Sequence, residues 1–245
     1  MRIAGIERCS FVDWPGLMSA VLFTPGCNLN CFFCHNRHIL GTCDSQGTIP
    51  IESFLDWLRS RSGFLDGVVM SGGEPTLQEG LAGFIRDVRA LGFPVKLDTN
   101  GTRPHALGDL LEQGLLDYVA MDIKAPRDKY DDVCGTAVDE QAVDASIKLI
   151  MRSGIEYEFR TTVLPQLTED DVAAMAHRIC GARYYILQQF RRPAWFTEDA
   201  EDIRLAREPH PYAALEKMTE TAKEFVQCCE TRGILAEEPA IANLA

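Results

Sequence analysis

The chain has no uninterrupted run of about 18 apolar residues, the length that a membrane-crossing helix needs, so no membrane span is expected. Its first residues, MRIAGIERCSFVDWPG, lack an apolar signal core and already carry Glu7 and Asp13, and the expectation is a cytoplasmic protein. Basic residues are scarce: 24 Lys and Arg stand against 36 Asp and Glu, for a formal net charge of −12. No basic cluster interrupts that balance, RRPAW at 191–195 being too short, so neither nucleic acid nor a membrane surface is expected as a partner. The acidity reads as solubility. Internal repeats and low-complexity tracts are missing too, which leaves an ordinary globular chain.

What the sequence does have is a core and many thiols. With 245 residues and 46% hydrophobic content it can build one globular domain with a full-sized core, of barrel type. The expected domain covers 1–235, with a core at about 17–190, a C-terminal loop and helix over 191–233, and a tail at 236–245. Nine cysteines without an export signal argue for metal binding or chemistry and against a disulfide framework. Cys9, Cys43, Cys134, Cys180, Cys228 and Cys229 are scattered and read as small buried hydrophobes. Cys27, Cys31 and Cys34 crowd into one stretch, TPGCNLNCFFCHN.

Short apolar, β-branched runs at 19–23, 67–70, 94–98, 118–123, 157–163 and 184–190 alternate with helical patterns at 50–61, 78–92, 106–114, 139–154 and 169–181. A last helix is expected over 212–233. Basic final turns followed by Gly92, Gly154 and Gly181 mark helix ends. This alternation predicts an α/β fold with a parallel sheet and helices outside, and six units predict a partial (βα)6 barrel of the TIM type. The unusual residues then fall at strand ends. The cysteines follow the first strand and SGGEP the second, DTNG and MDIK end the third and fourth, Arg160 lies in the fifth, and Gln188 and Gln189 close the sixth. Carboxyl ends of parallel strands share one face, where ligands bind, so these scattered residues are expected to converge.

Three thiolates leave a four-ligand centre incomplete. CFFCH at 31–35 fits c-type haem attachment, but that chemistry belongs to exported proteins. His35 or His38 could complete a zinc site, giving a zinc-stabilised, non-catalytic binding module. Alternatively the thiolates hold three irons of a [4Fe–4S] cluster and leave the fourth open to a small molecule such as S-adenosylmethionine (SAM). SGGEPTL at 71–77 alone reads as a tight turn. Beside the cysteines, Gly72 and Gly73 offer close backbone approach and Glu74 a partner for a cation such as the SAM amino group. Asp98, Asp122, Lys124 and Arg160 put charge on apolar strands, where an unpaired charge is expensive. They read either as a salt-bridge network at the rim or as a binding site, the Arg160 guanidinium suiting a carboxylate.

Together these residues resemble the radical SAM superfamily. CNLNCFFC matches its C-x3-C-x2-C motif and SGGEP its Gly-Gly-Glu motif. SFVDWPG, VVMSGGEPTLQ, VKLDTNG, DYVAMDIKAP, YEFRTTVLP and YILQQFRRP further resemble the activating enzymes of glycyl radical enzymes, in particular those that activate anaerobic (class III) ribonucleoside-triphosphate reductase. The likeness runs from residue 2 to residue 235. It implies one [4Fe–4S] cluster on Cys27, Cys31 and Cys34, Phe33 against the adenine of SAM, and Gly72, Gly73 and Glu74 at its amino group. Asp98, Asn100, Asp122, Lys124 and Arg160 would line the pocket. It also suggests a monovalent cation near Asp98 and Thr99, and it places a His near the end of the sixth strand, where this chain has Phe190.

The implied reaction is reductive cleavage of SAM to methionine and a 5′-deoxyadenosyl radical, which takes a hydrogen atom from a glycine of the reductase. Flavodoxin or ferredoxin would donate the electron. Pyruvate formate-lyase, another glycyl radical enzyme or a small molecule are the alternative targets. Trp14 reads either as a contact for the partner's glycine loop or as a buried staple. The long connection 191–211 reads as a lid or docking element whose deletion would reduce partner activation but spare SAM cleavage.

Overall fold

The apolar runs become strands buried on both faces, the pattern of a parallel sheet covered by helices on one side and filled by side chains on the other. In the computed structural model, which describes residues 1–41, 48–197 and 202–233, eight strands lie in one sheet in chain order. They are β1 (Gly5–Ser10), β2 (Ser19–Thr24), β3 (Gly67–Gly72), β4 (Val95–Thr99), β5 (Tyr118–Asp122), β6 (Glu156–Val163), β7 (Tyr184–Gln189) and β8 (Cys228–Arg232). β1 pairs antiparallel with β2, and every other neighbouring pair is parallel. β1 and β8 end the order without pairing to each other, so the barrel is open. The six expected strands are β2 to β7.

Helices α1 (Ile51–Arg59), α2 (Leu81–Ala90), α3 (Pro104–Glu112), α4 (Tyr130–Cys134), α5 (Glu140–Arg152), α6 (Glu169–Arg178) and α7 (Tyr212–Lys223) connect the strands. Some of their starts are chemically marked. Asp139 accepts from the backbone N–H groups of Gln141 and Ala142, and Thr168 forms a reciprocal capping box with Asp171; such caps contribute about 1 kcal/mol each. Their ends follow the predicted stops: Gly92, Gly154 and Gly181 all have positive φ. The helices turn apolar residues onto the sheet, for example Leu81, Phe84, Ile85 and Val88 of α2, and each such side chain is worth about 1.5–3 kcal/mol of burial. Among the described residues no helix is long and apolar enough to cross a membrane.

The structure corrects the end of the chain. The segment expected as one helix over 212–233 is helical only to Lys223, and 228–232 turns back as β8 beside β7, with Tyr184 opposite Cys228 and Tyr185 opposite Cys229. Pairing with an otherwise open edge, and burial of Cys229, outweigh the local helical pattern. The scattered cysteines also divide. Cys134 and Cys229 are buried as expected, Cys9 and Cys228 are half-buried, Cys180 is exposed, and Cys43 lies outside the described residues, as does the 236–245 tail.

Candidate active site

β2 delivers the chain into the cysteine loop, and the backbone of the next strand locks that loop in place. Gly73 N donates to Thr24 O (2.9 Å) and Glu74 N to Gly26 O (2.9 Å), while Gly26 N closes the loop on Ile39 O (2.8 Å). A side chain cannot fit this contact. A Cβ on Gly73 would sit 1.9 Å from Gly26 O, and one on Gly72, whose φ is +112°, 2.3 Å from Thr24 N. The middle of the loop is tied to α4 by Asn30 N donating to Cys134 O (2.8 Å).

These constraints enclose a cavity of about 210 Å³ at the carboxyl ends of β2 to β6. Eleven of the twelve residues singled out from the sequence line it: Cys27, Cys31, Phe33, Cys34, Gly72, Gly73, Asp98, Asn100, Asp122, Lys124 and Arg160. The exception is Glu74. Its side chain is fully buried behind the glycine wall and receives hydrogen bonds from Thr76 N (3.1 Å), the Thr76 hydroxyl, Thr99 Oγ1 (2.8 Å) and Asn100 N (2.7 Å). Burial pushes its carboxyl pKa up, and those four donors oppose the rise. Placed there, Glu74 fastens the β3 turn to the β4 turn, and the ligand-facing surface of the motif is glycine backbone.

The charged residues form one chain across the strand ends. Asp122 bridges Arg160 Nε (2.9 Å) and Lys124 Nζ (2.8 Å), and Asp98 takes Arg160 Nη1 (3.4 Å), Lys96 Nζ (3.1 Å) and the Ser71 hydroxyl (3.2 Å). Burial alone would raise the Asp122 carboxyl; the charges of Arg160 and Lys124 outweigh it and hold the carboxyl well below the usual range. Burial would lower Lys124, but Asp122 holds it charged. These ions therefore pair with one another, as the rim-network reading expects, and they also wall the cavity. Asp98 meets two cations of the chain itself, so the Lys96 ammonium supplies positive charge where the resemblance suggested a monovalent cation.

The three thiols differ. Burial pushes Cys27 up to about 11 and raises Cys34. Cys31 is lowered to about 7, chiefly by a hydrogen bond from the Cys134 thiol and then, against burial, by the Lys124 charge. Asn100 Nδ2 donates toward Cys27 Sγ (3.7 Å), and Arg37 Nη2 donates to Cys31 O (3.3 Å). All three thiols are free. Among the described residues no three His, Cys, Asp or Glu side chains stand close enough to hold a single ion. A zinc centre completed by His35 or His38 would need these side chains to draw together on one ion, whereas in a [4Fe–4S] cluster each thiolate takes a different iron.

Sequence reasoning missed several participants. Lys96 was legible as a charge inside an apolar strand. Ser71 and Thr162 also line the cavity, yet carried no signal beyond their position at strand ends. Trp195 donates its indole N–H to Cys34 O (2.7 Å), and Arg37 lies over its ring at 5.0 Å. The described part of 191–211 therefore braces the cysteine loop, and the sparing of SAM cleavage on its deletion does not follow. Trp14 is buried against Val21 and Val69, with Tyr118 at 6.1 Å, which makes it a staple and not a partner contact. Phe190 is fully buried in the core and takes no part in the cavity wall.

The family model of the radical SAM superfamily matches residues 21–179, a span that holds every element of this cavity. The chain belongs to the radical SAM superfamily. Within this superfamily a Methanocaldococcus jannaschii protein, named provisionally as a glycyl-radical enzyme activating enzyme, is 32% identical over 231 residues, covering 91% of this chain and 92% of that protein. The Escherichia coli K12 pyruvate formate-lyase 1-activating enzyme is 30% identical over 191 residues, 73% of each chain. This places the radical SAM chain among the glycyl-radical-enzyme activating enzymes. Streptococcus suis SuiB bound to S-adenosylmethionine shares the fold, with a TM-score of 0.63 and 14% identity over 87% of this chain, which spans about half (52%) of SuiB. A domain of a Bacteroides vulgatus pyruvate-formate lyase-activating enzyme matches 68% of this chain and 99% of its own length, with a TM-score of 0.53 and 13% identity. Radical SAM enzymes use a [4Fe–4S] cluster and SAM, and the free thiols and glycine wall found here fit that pair.

Proposed function

We propose that this radical SAM activating enzyme installs the glycyl radical of an anaerobic ribonucleoside-triphosphate reductase, drawing its electron from a flavodoxin or ferredoxin. The observation that supports this target is where the reductase-activator-like segments lie. Asp98, Thr99 and Asn100 of LDTNG and Asp122 and Lys124 of MDIKAP wall the cavity beside the cysteines. Gln188, Gln189 and Arg191 of LQQFRRP wall a second cavity that adjoins it.

When bound, the cluster and SAM supply one-electron cleavage of the sulfonium and the hydrogen-atom abstraction that follows. The chain's own residues bind and orient. Cys27, Cys31 and Cys34 would hold the cluster. The glycine wall of Gly72 and Gly73 would take the SAM amino group, Arg160 its carboxylate and Phe33 its adenine. Asp98, Asn100, Asp122 and Lys124 form the polar floor, with the Asp122–Arg160 and Asp122–Lys124 pairs fixing the two cations before ligand arrives.

The test is electron paramagnetic resonance of the reduced, reconstituted protein with SAM and the reductase of the source organism. A glycyl doublet on the reductase supports the proposal. A doublet on pyruvate formate-lyase and none on the reductase supports the second reading, which the identity to the Escherichia coli enzyme favours.

A further inference from the structure

The second cavity, of about 690 Å³, shares His35, Arg160 and Thr162 with the first. Phe11 and Val12 stand at its mouth, 74% and 83% exposed. They belong to an ordered turn: Ser10 Oγ accepts from the N–H groups of Val12 and Asp13 (both 3.2 Å) and donates to the Asp13 carboxylate. Adjacent large apolar side chains held in water at a cavity mouth suit a surface that a partner covers.

Inside, the cationic walls are already answered by the chain. Lys96 pairs with Asp98, Arg160 with Asp122, Arg232 with Glu158 (2.7 Å), and Arg191 donates to Gly233 O (3.0 Å). Among the buried side-chain atoms that line this cavity, the one left over is on Glu158, which is only 1% exposed. Its Oε2 receives Arg232 and the Tyr118 hydroxyl (3.2 Å), while Oε1 is buried with no hydrogen-bond partner among the described residues. A buried carboxylate oxygen without a donor is costly, and a ligand that brings the donor recovers that cost.

We infer that Glu158 and the Phe11–Val12 rim are specificity determinants for a polypeptide loop of the partner enzyme. The loop brings a hydrogen-bond donor to Glu158 Oε1 and an apolar side chain to Phe11 and Val12. An extended segment, whose alternate side chains point to opposite sides, meets one polar and one apolar requirement at once. The inference rests on the activase reading above and adds the residues that recognise the loop.

The test measures glycyl-radical formation against reductase concentration for wild type, E158Q and F11S/V12S, each reconstituted to equal iron–sulfur content. In E158Q the Arg232 guanidinium keeps the amide oxygen, so the amide N–H faces the cavity and opposes an incoming donor. The expected result is a rise in KM for the reductase of about 10- to 100-fold in E158Q, the range for a hydrogen bond to a charged group, with kcat held. F11S/V12S, which alters only exposed side chains, raises KM about 10-fold and decides the matter if E158Q does not fold. Unchanged KM in the folded variants overturns the inference while wild-type activity preserves the activase reading. A wild type that forms no radical on the reductase removes the reading and the inference together.

Discussion

Asp122→Asn is the sharpest test of the charge chain at the strand ends. The substitution keeps the shape and removes the one charge that answers both Arg160 Nε at 2.9 Å and Lys124 Nζ at 2.8 Å. Breaking a buried ion pair costs about 3–5 kcal/mol. The Asp122 side chain is 26% exposed and Arg160 retains Asp98 at 3.4 Å, so about 2–3 kcal/mol is the expected loss after discounting for solvent. In a protein of this size that lowers Tm by about 5–10 °C. The assay is thermal or urea unfolding of the cluster-free protein under reducing conditions, so that cluster loss does not enter. The pH dependence adds a second check. The folded Asp122 carboxyl lies below its unfolded value, so its contribution is complete above the unfolded pKa, near 4, and disappears as pH falls toward the folded one. The gap between wild type and D122N is therefore flat above about pH 5 and narrows below about pH 4. A Tm change under about 1 °C, or a gap that persists undiminished at about pH 3, refutes the reasoning.

Glu74→Ala leaves four buried donors without their acceptor and is expected to destabilise the cluster-free protein by about 3–5 kcal/mol; unchanged urea unfolding with weakened SAM binding would instead make Glu74 a direct ligand contact. Trp195→Phe keeps the ring under Arg37 but loses the N–H to Cys34 O, so loss of visible absorbance to an iron chelator should accelerate about 5-fold, a change of about 1 kcal/mol. An unaltered rate removes Trp195 from the cluster support. Gly73→Ala, whose Cβ would strike Gly26 O, should yield little folded protein, whereas Gly83→Ala on the open face of α2 should raise stability by about 1 kcal/mol. Equal behaviour of the two in a solubility and melting assay contradicts the close packing of the glycine wall.

The sequence by itself determined the six central strands, most of their helices, and eleven of the residues that wall the first cavity. It could do so because parallel α/β units announce themselves by alternation, and because cysteines, paired glycines and charges on apolar strands have few reasons to be there except at a shared face. Tertiary structure decided the rest. The local pattern over 212–233 carries no sign of an open sheet edge, so the turn of 228–232 into β8 depended on β7 being available to pair. Glu74 looked like a ligand group because its motif adjoins the cysteines; only the positions of Thr76, Thr99 and Asn100 show that the chain itself consumes its acceptors. Trp195 reaches Cys34 across 161 residues, and Glu158 is left with an open oxygen by what surrounds it. Each of these depends on which partners arrive from distant parts of the chain, and hydrogen-bond satisfaction is a property of the assembled neighbourhood and not of any single stretch of sequence.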